Sequence, residues 1–385
     1  MHRAFDESNE AFRRALRGFV EREITPNILE WERCGAVPRP LFRQLGELGY
    51  LGVRLSEEYG GSGLDFWSTA VLVQELVRCG SLGVAVSVLA HAEFATKIID
   101  RAGTPRQKEE FLAPAIRGER IGALALTEPD AGSDVAALRT RAVRDGDHYV
   151  INGAKTFITN GNIADYATTA VRTSDEGHRG LSLIIVPTDT PGFSRGRRLR
   201  KMGVHSSDTA ELTFEDCRVP ARNLLGPEGG GFKLIMQGFE GERLVLALIC
   251  CSQLRLMWEE ARRYGHERNA FGKPLLGFQV WRHRLADALT SIEAAESLTY
   301  RGIDLSVRGK SCNAEISMAK LFAAEIAPKV AHDCCQIFGG NGYMEEFLIG
   351  RLRRDTTAFS VGAGTSEMMR EIIARTCELE PRRGA

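Results

Sequence analysis

The stretch GFKLIMQGFEGERLVLALICC, residues 231–251, shows the apolar periodicity of a helix and starts a second series of helical patterns after a run of predicted strands. Glu242 shares one face of this helix with four apolar residues at intervals of three, four or seven positions: Ile235, Phe239, Leu246 and Ile249. A carboxylate among such neighbours is poorly solvated, so we expect a raised pKa that suits a proton acceptor. The alternative is a glutamate whose carboxylate reaches water or pairs with Arg243.

Patterns on either side of this helix divide the chain into three parts. Residues 1–120 show helical periodicity, residues 121–226 show short alternating runs typical of strands, and residues 227–385 return to helical patterns. We therefore predict an α+β fold, with an N-terminal helical domain, a middle β-sheet or barrel domain and a C-terminal helical bundle.

Three dipeptides in the middle part are typical of tight hairpin turns: Asp145-Gly146, Asn152-Gly153 and Asn160-Gly161. They predict that strands end at each of these points.

The composition argues against several classes of function. Fifty basic residues balance fifty acidic ones, so we expect no nucleic-acid and no membrane partner. The chain has no signal-peptide pattern and no uninterrupted stretch of about 18 apolar residues, which predicts a cytoplasmic location. Nine cysteines without a CxxC pair or a His/Cys cluster at zinc spacing predict reduced, mostly buried thiols and no metal site.

No GxGxxG motif follows a predicted strand, so a Rossmann dinucleotide site is not supported. Two other glycine-rich segments could meet a nucleotide. Paired glycines in QIFGGNGY, residues 336–343, would allow backbone to approach a pyrophosphate. GAGTSE, residues 362–367, opens a final predicted helix whose amides could meet an anion or a carbonyl oxygen. Each is a weak signal, and a glycine-rich helix connection is the alternative.

Six segments, in this order and spacing, resemble those of the acyl-CoA dehydrogenase flavoproteins: LTEPDAGSDV (126–135), NGAKTFITNG (152–161), KMGVHSSDTAELTFEDCRVP (201–220), ERNAFGKPLLGFQ (267–279), QIFGGNGY (336–343) and GAGTSEMMREIIAR (362–375). The resemblance spans almost the whole chain. It implies the same helix–sheet–helix architecture, FAD as cofactor, and a homo-oligomer, either a dimer or a tetramer.

The resemblance also implies a reaction, the FAD-dependent α,β-dehydrogenation of an acyl thioester in fatty acid metabolism. A base removes the Cα proton of acyl-CoA while the Cβ hydrogen leaves as hydride to flavin N5, giving trans-2-enoyl-CoA. A backbone N–H of the GAGTSE-like segment assists by donating to the developing enolate oxygen. Electron-transfer flavoprotein is the implied electron acceptor.

The position of the base departs from the common family pattern. Many members carry a glutamate where this chain has Ala363, preceded by a tyrosine where this chain has Gly362. The chain instead resembles the branch of isovaleryl-CoA and long-chain acyl-CoA dehydrogenases, in which the base lies in a Glu-Arg-Leu segment of an earlier helix. Here that segment is Glu242-Arg243-Leu244, so Glu242 is the predicted catalytic base. A homologue that has lost its base is the alternative.

The resemblance implies two groups of cofactor-binding residues. The first runs along the flavin and consists of Leu124, Leu126, Thr127, Ser133, Phe157, Ile158 and Thr159, while Thr365, Ser366 and Glu367 complete the nucleotide site. The second reaches FAD from a neighbouring subunit: Arg268, Phe271, Gln279, Gln336, Phe338, Gly339 and Gly340. The implied substrate-binding residues are Ser133, Phe239, Arg243, Gly362, Ala363 and Gly364.

Three alternatives to this function remain open at this point. The acyl or aminoacyl group could be tethered to a carrier protein rather than to CoA. The flavin could pass its electrons to oxygen, as in an oxidase. The chain could also be a non-catalytic FAD-binding homologue, although the DNA-associated members of the wider family carry basic surface that the zero net charge here does not provide.

Overall fold

Helices fill the N-terminal part of the chain in the computed structural model, which describes residues 5–379. Asp6 caps the first helix by accepting a hydrogen bond of 2.9 Å from the backbone N–H of Asn9. The α-helices of this part are α1 (Glu7–Phe19), α2 (Ile28–Cys34), α3 (Arg39–Glu47), α4 (Phe66–Val77), α5 (Leu82–Leu89), α6 (Thr96–Ala102), α7 (Pro105–Gln107) and α8 (Ala113–Ile116).

A mixed sheet forms the middle of the chain. Its strands are β1 (Gly122–Ala125), β2 (Arg141–Asp145), β3 (His148–Thr159), β4 (Tyr166–Arg172), β5 (Leu181–Pro187), β6 (Phe193–Arg198), β7 (Thr209–Pro220) and β8 (Leu224–Leu225). They are arranged in the order β6-β7-β3-β2-β4-β5-β8, with β1 paired to β4. The β1–β4 and β2–β4 pairings are parallel, and the remaining pairings are antiparallel.

Only one of the three predicted hairpin turns is present. Asp145 pairs with His148 across the β2–β3 turn, as predicted. The turn predicted at Asn152-Gly153 is wrong, because β3 continues through it with a bulge. The Asn152 side chain bonds to Asp216 of β7 there, and a Cβ on Gly153 would lie 2.7 Å from Thr140 Oγ1. At Asn160-Gly161 the chain turns, but the next strand, β4, does not pair with β3.

A helical bundle completes the fold. Its α-helices are α9 (Gly231–Glu267), α10 (Gln279–Val307), α11 (Asn313–Gln336), α12 (Leu348–Asp355) and α13 (Ser366–Thr376). A two-stranded hairpin of β9 (Asn269–Ala270) and β10 (Lys273–Pro274) separates α9 from α10. With 37 residues, α9 is roughly 55 Å long, so its two ends lie in different parts of the molecule.

Helix α9 passes from one buried core to another, and this passage positions Glu242. Ile235, near its start, packs in a cluster with residues of α8, β4 and β5. From Leu244 onward it packs in the large core that the N-terminal and C-terminal helices share. Glu242 therefore lies where the two cores and the sheet meet.

The run from Leu82 to Ala102, formed by α5, a π-helical turn and α6, is long and apolar enough to cross a membrane by length and composition alone. In the fold, 83% of its most apolar window is buried. Packing inside the molecule thus accounts for its composition. The sequence shows no uninterrupted apolar stretch here, because His91, Glu93 and Lys97 interrupt the run. All nine cysteines are free thiols, and seven of them are buried.

Candidate active site

Glu242 lines a cavity of about 760 Å³, including its open mouth, beside the first strand of the sheet. Leu124 and Leu126, two residues predicted to contact the flavin, line the same cavity. On α9 the wall includes Gly238 and Gly241, where an added Cβ would meet only Glu242 Oε1 at 3.8 Å and Arg54 Nη2 at 4.0 Å. Glycine weakens a helix interior, and here it leaves open space along the side of α9 that carries Glu242.

The Glu242 carboxylate has the electrostatic character expected of a base. Burial raises its pKa to about 7, and the adjacent Arg243 opposes this only in part. Within residues 5–379 no hydrogen bond or ion pair holds the carboxylate. A carboxyl group that titrates near neutrality and has no fixed partner is free to exchange a proton with a ligand in the cavity.

The loop of residues 362–364 lies against α9 one turn beyond Glu242. A Cβ on Gly362 would lie 3.7 Å from Leu246, and one on Gly364 would lie 4.0 Å from Arg243 Nε. Ala363 and Gly364 both have positive φ, 49° and 97°, and for alanine this conformation is unfavourable. Contacts from outside the loop must therefore hold it.

A buried lysine provides one such contact. Lys320 of α11 is fully buried, and its ammonium donates a hydrogen bond of 2.5 Å to the carbonyl oxygen of Gly364. Burial lowers the pKa of Lys320. Because burying an ammonium group is costly unless it is paired, this bond indicates a site where the position of the loop matters.

Arg243, predicted to bind substrate, is absent from the cavity wall. Its guanidinium lies over the Phe239 ring, 5.6 Å from the centroid, and donates from Nη1 to Asn313 at 3.3 Å. Its Nε is buried without a hydrogen-bond partner. Burial lowers the pKa of Arg243. Arg243 and Phe239 do not line the cavity, and neither do Gly362, Ala363 and Gly364. Arg243 and Phe239 pack against each other beside the loop of residues 362–364, where they support α9.

A buried ion pair supports the predicted flavin strand. Lys155 of β3 donates to the carbonyl oxygen of Leu126 at 3.0 Å and to Glu128 Oε1 at 2.8 Å. Burial lowers the pKa of Lys155 to about 8, although the nearby Glu128 opposes the shift. The backbone N–H of Thr156 also bonds to Thr127 at 2.9 Å. These bonds fix the backbone of residues 126–128, which follow β1. Ser133 lies farther along the same loop and is exposed.

A β-bulge turns Phe157 outward and Ile158 inward. The register between β3 and β7 shifts between Lys155 and Ile158, and Phe157 has a φ of 59° with 67% of its surface exposed. Ile158 is buried in the core of the sheet. Its side chain cannot contact a cofactor on the exposed face, because successive side chains of a strand point to opposite faces. A contact between Ile158 and the cofactor would therefore come from its backbone, while Thr159 is half-buried.

The second predicted cofactor group gathers at the far end of α9. The Phe338 ring stacks on Tyr264 at 4.1 Å, and Arg268 follows Tyr264 by one helical turn. Five other members of the group are exposed: Phe271, Gln279, Gln336, Gly339 and Gly340. Phe338 is buried against Tyr264, so only its backbone remains available to a ligand.

This far group cannot reach the cavity of its own chain. Arg268 lies 26 residues beyond Glu242, roughly 39 Å along the helix.

The exposed surfaces fit a flavin dinucleotide. Phe157 offers an uncovered aromatic face, and an added Cβ on Gly339 or Gly340 would meet nothing within 4 Å. Thr365 caps helix α13, of 11 residues, and its side chain accepts a hydrogen bond from the N–H of Met368. The N-terminal amides of such a helix suit a phosphate or a carbonyl oxygen. Ser366 is buried with its hydroxyl unpartnered, and Glu367 is exposed.

The sequence prediction missed three charged residues of the site. Arg54 and Glu93 line the cavity with Glu242, and Lys320 holds the neighbouring loop. Glu93 carried a usable signal, because it lies in an apolar helix as Glu242 does. No pattern in the neighbouring sequence indicates that Arg54 or Lys320 belongs to the site.

Comparison with known proteins gives the same family for each part of the chain. The models described as acyl-CoA dehydrogenase N-terminal, middle and C-terminal domains match residues 6–119, 123–217 and 229–377. The mitochondrial long-chain specific acyl-CoA dehydrogenase of Mus musculus is 38% identical over 378 residues, which are 97% of this chain and 87% of the mouse protein.

Solved structures agree with the fold. The crystal structure of an acyl-CoA dehydrogenase from Geobacillus kaustophilus superimposes with a TM-score of 0.94 and 42% identity, covering 98% of this chain and 100% of its own. A glutaryl-CoA dehydrogenase from Mycobacterium smegmatis in complex with FADH2 superimposes with a TM-score of 0.92 and 30% identity, covering 99% and 97%. The predicted fold class and family resemblance are thereby confirmed.

Proposed function

This chain belongs to the acyl-CoA dehydrogenase family of FAD-dependent oxidoreductases that act on CH–CH groups, and we propose that Glu242 is its catalytic base. In this proposal the Glu242 carboxylate removes the Cα proton of an acyl-CoA thioester, and trans-2-enoyl-CoA is the product. FAD, when bound, supplies the hydride acceptor for the Cβ hydrogen.

The position and pKa of Glu242 are the observation that carries the proposal. The carboxylate lines the cavity next to Leu124 and Leu126, and burial raises its pKa to about 7. A base of this pKa is ionised in a useful fraction of molecules near neutral pH and still binds a proton strongly. Ala363, where many members of the family have the glutamate, carries no group that could accept the proton.

The loop of residues 362–364 is the second part of the proposed chemistry. We assign the backbone N–H of Ala363 as a donor to the thioester oxygen, which gains negative charge as the Cα proton leaves. The bond from Lys320 to Gly364 supports this assignment, because a donor is most effective when its position is fixed before the reaction.

Two groups of residues are proposed to hold FAD, as the fit of the exposed surfaces suggests. Phe157 and Thr159 lie on the outer side of β3, and Leu126 and Thr127 lie at the edge held by Lys155. Arg268, Phe271 and Gln336 would reach the cofactor of a second chain. Assembly into a dimer or a tetramer and a cytoplasmic location are part of the same proposal, as is electron-transfer flavoprotein as the acceptor.

Anaerobic bleaching of the flavin by thioesters tests the function. The purified holoprotein is mixed without oxygen with saturated acyl-CoA thioesters of several lengths, and the flavin absorbance is followed. We expect bleaching with formation of the enoyl thioester. Absence of bleaching with every thioester would contradict the proposal.

Two further arms of this experiment decide between the alternatives. The same acyl groups on a phosphopantetheinyl carrier protein show whether CoA or a protein is the preferred tether. In air, peroxide formed as fast as thioester is consumed would identify an oxidase, whereas slow peroxide formation and fast electron transfer to electron-transfer flavoprotein would support a dehydrogenase.

A further inference from the structure

A buried ion pair forms part of the wall of the Glu242 cavity. Arg54, in the loop before α4, donates from Nε to Glu93 Oε2 at 3.2 Å, and its Nη2 donates to the same oxygen. The other oxygen of Glu93 accepts from the hydroxyl of Thr69 at 2.9 Å. Both oxygens of this buried carboxylate therefore have partners, and the pair is fixed in one arrangement.

Other contacts hold Arg54 as firmly. Its guanidinium lies over the ring of Phe66, 4.1 Å from the centroid, and Lys97 donates to its backbone carbonyl oxygen at 2.5 Å. Its Nη1 group has no acceptor among residues 5–379 and is not fully buried, and Arg54 lines the cavity. A rigid guanidinium with unused N–H donors in the wall of a ligand cavity is a preformed hydrogen-bonding position.

Arg54 and the Glu242 carboxylate lie beside neighbouring positions of α9. Arg54 approaches the helix at Gly241, and the carboxylate of Glu242 reaches back to Gly238. These glycines are three residues apart, which is roughly 4.5 Å along the helix axis. A ligand that lies along this side of α9 can therefore meet Arg54 and Glu242 with different atoms.

We propose that this cavity selects acyl thioesters whose chain carries a neutral oxygen, as a hydroxyl, ether or keto group, at the position of Arg54. The proposal rests on the proposed function of Glu242. A plain hydrocarbon chain would displace water from the free N–H groups of Arg54 and leave them without an acceptor, which disfavours its binding.

The charges around the cavity favour a neutral oxygen over a carboxylate. Glu93 already neutralises Arg54, and Lys97 is paired with Asp100 at 2.9 Å. Arg101, the third basic residue that lines the cavity, is a solvent-exposed side chain. Glu240 and Glu242 line the same space. A second carboxylate near Arg54 would therefore be repelled by nearby acidic groups, whereas a neutral oxygen gains the hydrogen bond without this repulsion.

Matched thioesters test the proposal. Each straight-chain acyl-CoA is paired with a terminal hydroxyacyl-CoA of the same number of heavy atoms, for example heptanoyl-CoA with 6-hydroxyhexanoyl-CoA, and adipoyl-CoA serves as the carboxylate. For at least one length we expect the hydroxyacyl member to be preferred by about tenfold or more in the apparent second-order rate constant of flavin reduction. A ratio at or below one for every length, or a preference for adipoyl-CoA, would overturn the proposal.

Paired substitutions separate recognition from folding. Arg54→Met with Glu93→Gln removes the donors without leaving a buried charge, and we expect the preference to disappear. If this variant does not fold, Arg54→Lys keeps the charge opposite Glu93 but loses the planar N–H groups, and the preference should fall. A preference unchanged in a folded variant would show that the pair is only structural.

The matched control is Arg13→Met, at an ion pair away from the cavity. Arg13 pairs with Glu75 at 2.9 Å, lies over Phe5, and has 16% of its side chain exposed against 17% for Arg54. It should leave the preference unchanged.

Thioester binding to the Glu242→Gln variant distinguishes a failure of this proposal from a failure of the proposed function. Without the base, thioester affinity can be measured from the change in flavin absorbance. If no thioester bleaches the parent flavin, the proposed function fails, yet tighter binding of the hydroxyacyl member would still support the role of Arg54.

Discussion

The two ends of helix α9 have opposite environments. At Glu242 the helix borders a cavity between two cores, and burial raises the pKa of the carboxylate. At Arg268 the helix ends among exposed side chains, and Phe271 beside it is 95% exposed. The first environment suits chemistry on a desolvated substrate. The second suits contact with something outside the chain, because an aromatic side chain left this open gains by being covered.

Under the proposed function, the difference means that one chain does not contain one complete site. The residues predicted to hold FAD fall into two groups, and the second lies at the Arg268 end of α9, roughly 39 Å along the helix from Glu242. If both groups bind FAD, each cofactor is shared between two copies, with the base from one copy and Arg268 from the other. The predictions below test the two ends separately and then together.

The largest effect is expected at the buried end. Glu242→Gln keeps the size of the side chain but cannot accept a proton, so flavin reduction by a saturating thioester should slow by about 10³-fold, or about 4 kcal/mol. FAD content and thioester affinity should stay close to those of the parent. Rapid-reaction absorbance measures the rate, and an undiminished rate would rule out Glu242 as the base. Adding Ala363→Glu to this variant should restore part of the rate, because the family places its base on either segment.

A smaller loss in the rate of flavin reduction is expected when the loop of residues 362–364 loses its bond to Lys320. Lys320→Met removes the donor to Gly364 and leaves that carbonyl oxygen unpaired, so the rate of flavin reduction should fall roughly tenfold to a hundredfold. Thioester affinity should change less than the rate. The control is Ser317→Ala on the same helix, which removes a buried hydroxyl that has no partner. Equal losses in rate and affinity would indicate general damage rather than a role in positioning the loop.

The pH dependence should reveal the titration of the base. Glu242 accepts a proton only when ionised, and its pKa is raised to about 7, so the rate of flavin reduction should rise with pH through that value. One pH unit below the pKa, about a tenth of the molecules carry the ionised base. The residual rate of the Glu242→Gln variant should lack this step. A parent rate that is flat from mildly acidic to mildly basic pH would contradict the assignment.

Local patterns were sufficient to predict the fold and the poorly solvated environment of Glu242. Helical and alternating periodicity predicted the helix–sheet–helix order, which the structure and its relatives confirm. The same periodicity indicated Glu242 as a poorly solvated carboxylate. The turn prediction at Asn152-Gly153 was wrong because contacts with Thr140 and Asp216, remote in sequence, favour a bulge.

The rest of the site depends on contacts between distant segments. Arg54 meets Glu93 across 39 residues, and Lys320 meets Gly364 across 44. A lysine in an amphipathic helix gives no local sign of whether its ammonium is exposed or buried. The bulge that exposes Phe157 and buries Ile158 depends on the pairing of β3 with the distant strand β7. The alternation of residues within β3 alone therefore could not predict it.

A mixture of two defective variants tests most directly whether the ends of α9 serve different copies of the site. Arg268→Ala is expected to weaken FAD retention about tenfold or more through the exposed end, while Glu242→Gln disables the buried end. In a mixed dimer of the two variants, one site carries both defects and the other carries neither.

The two variants are mixed, dissociated together and reassembled in the presence of FAD. The measurement is the rate at which a thioester then reduces the bound flavin. If each site is shared, random reassembly should restore about a quarter of the parental activity, well above either variant alone. Activity that stays at the level of the separately treated variants would contradict the shared site. It would mean that Glu242 and Arg268 of one chain act on the same bound FAD.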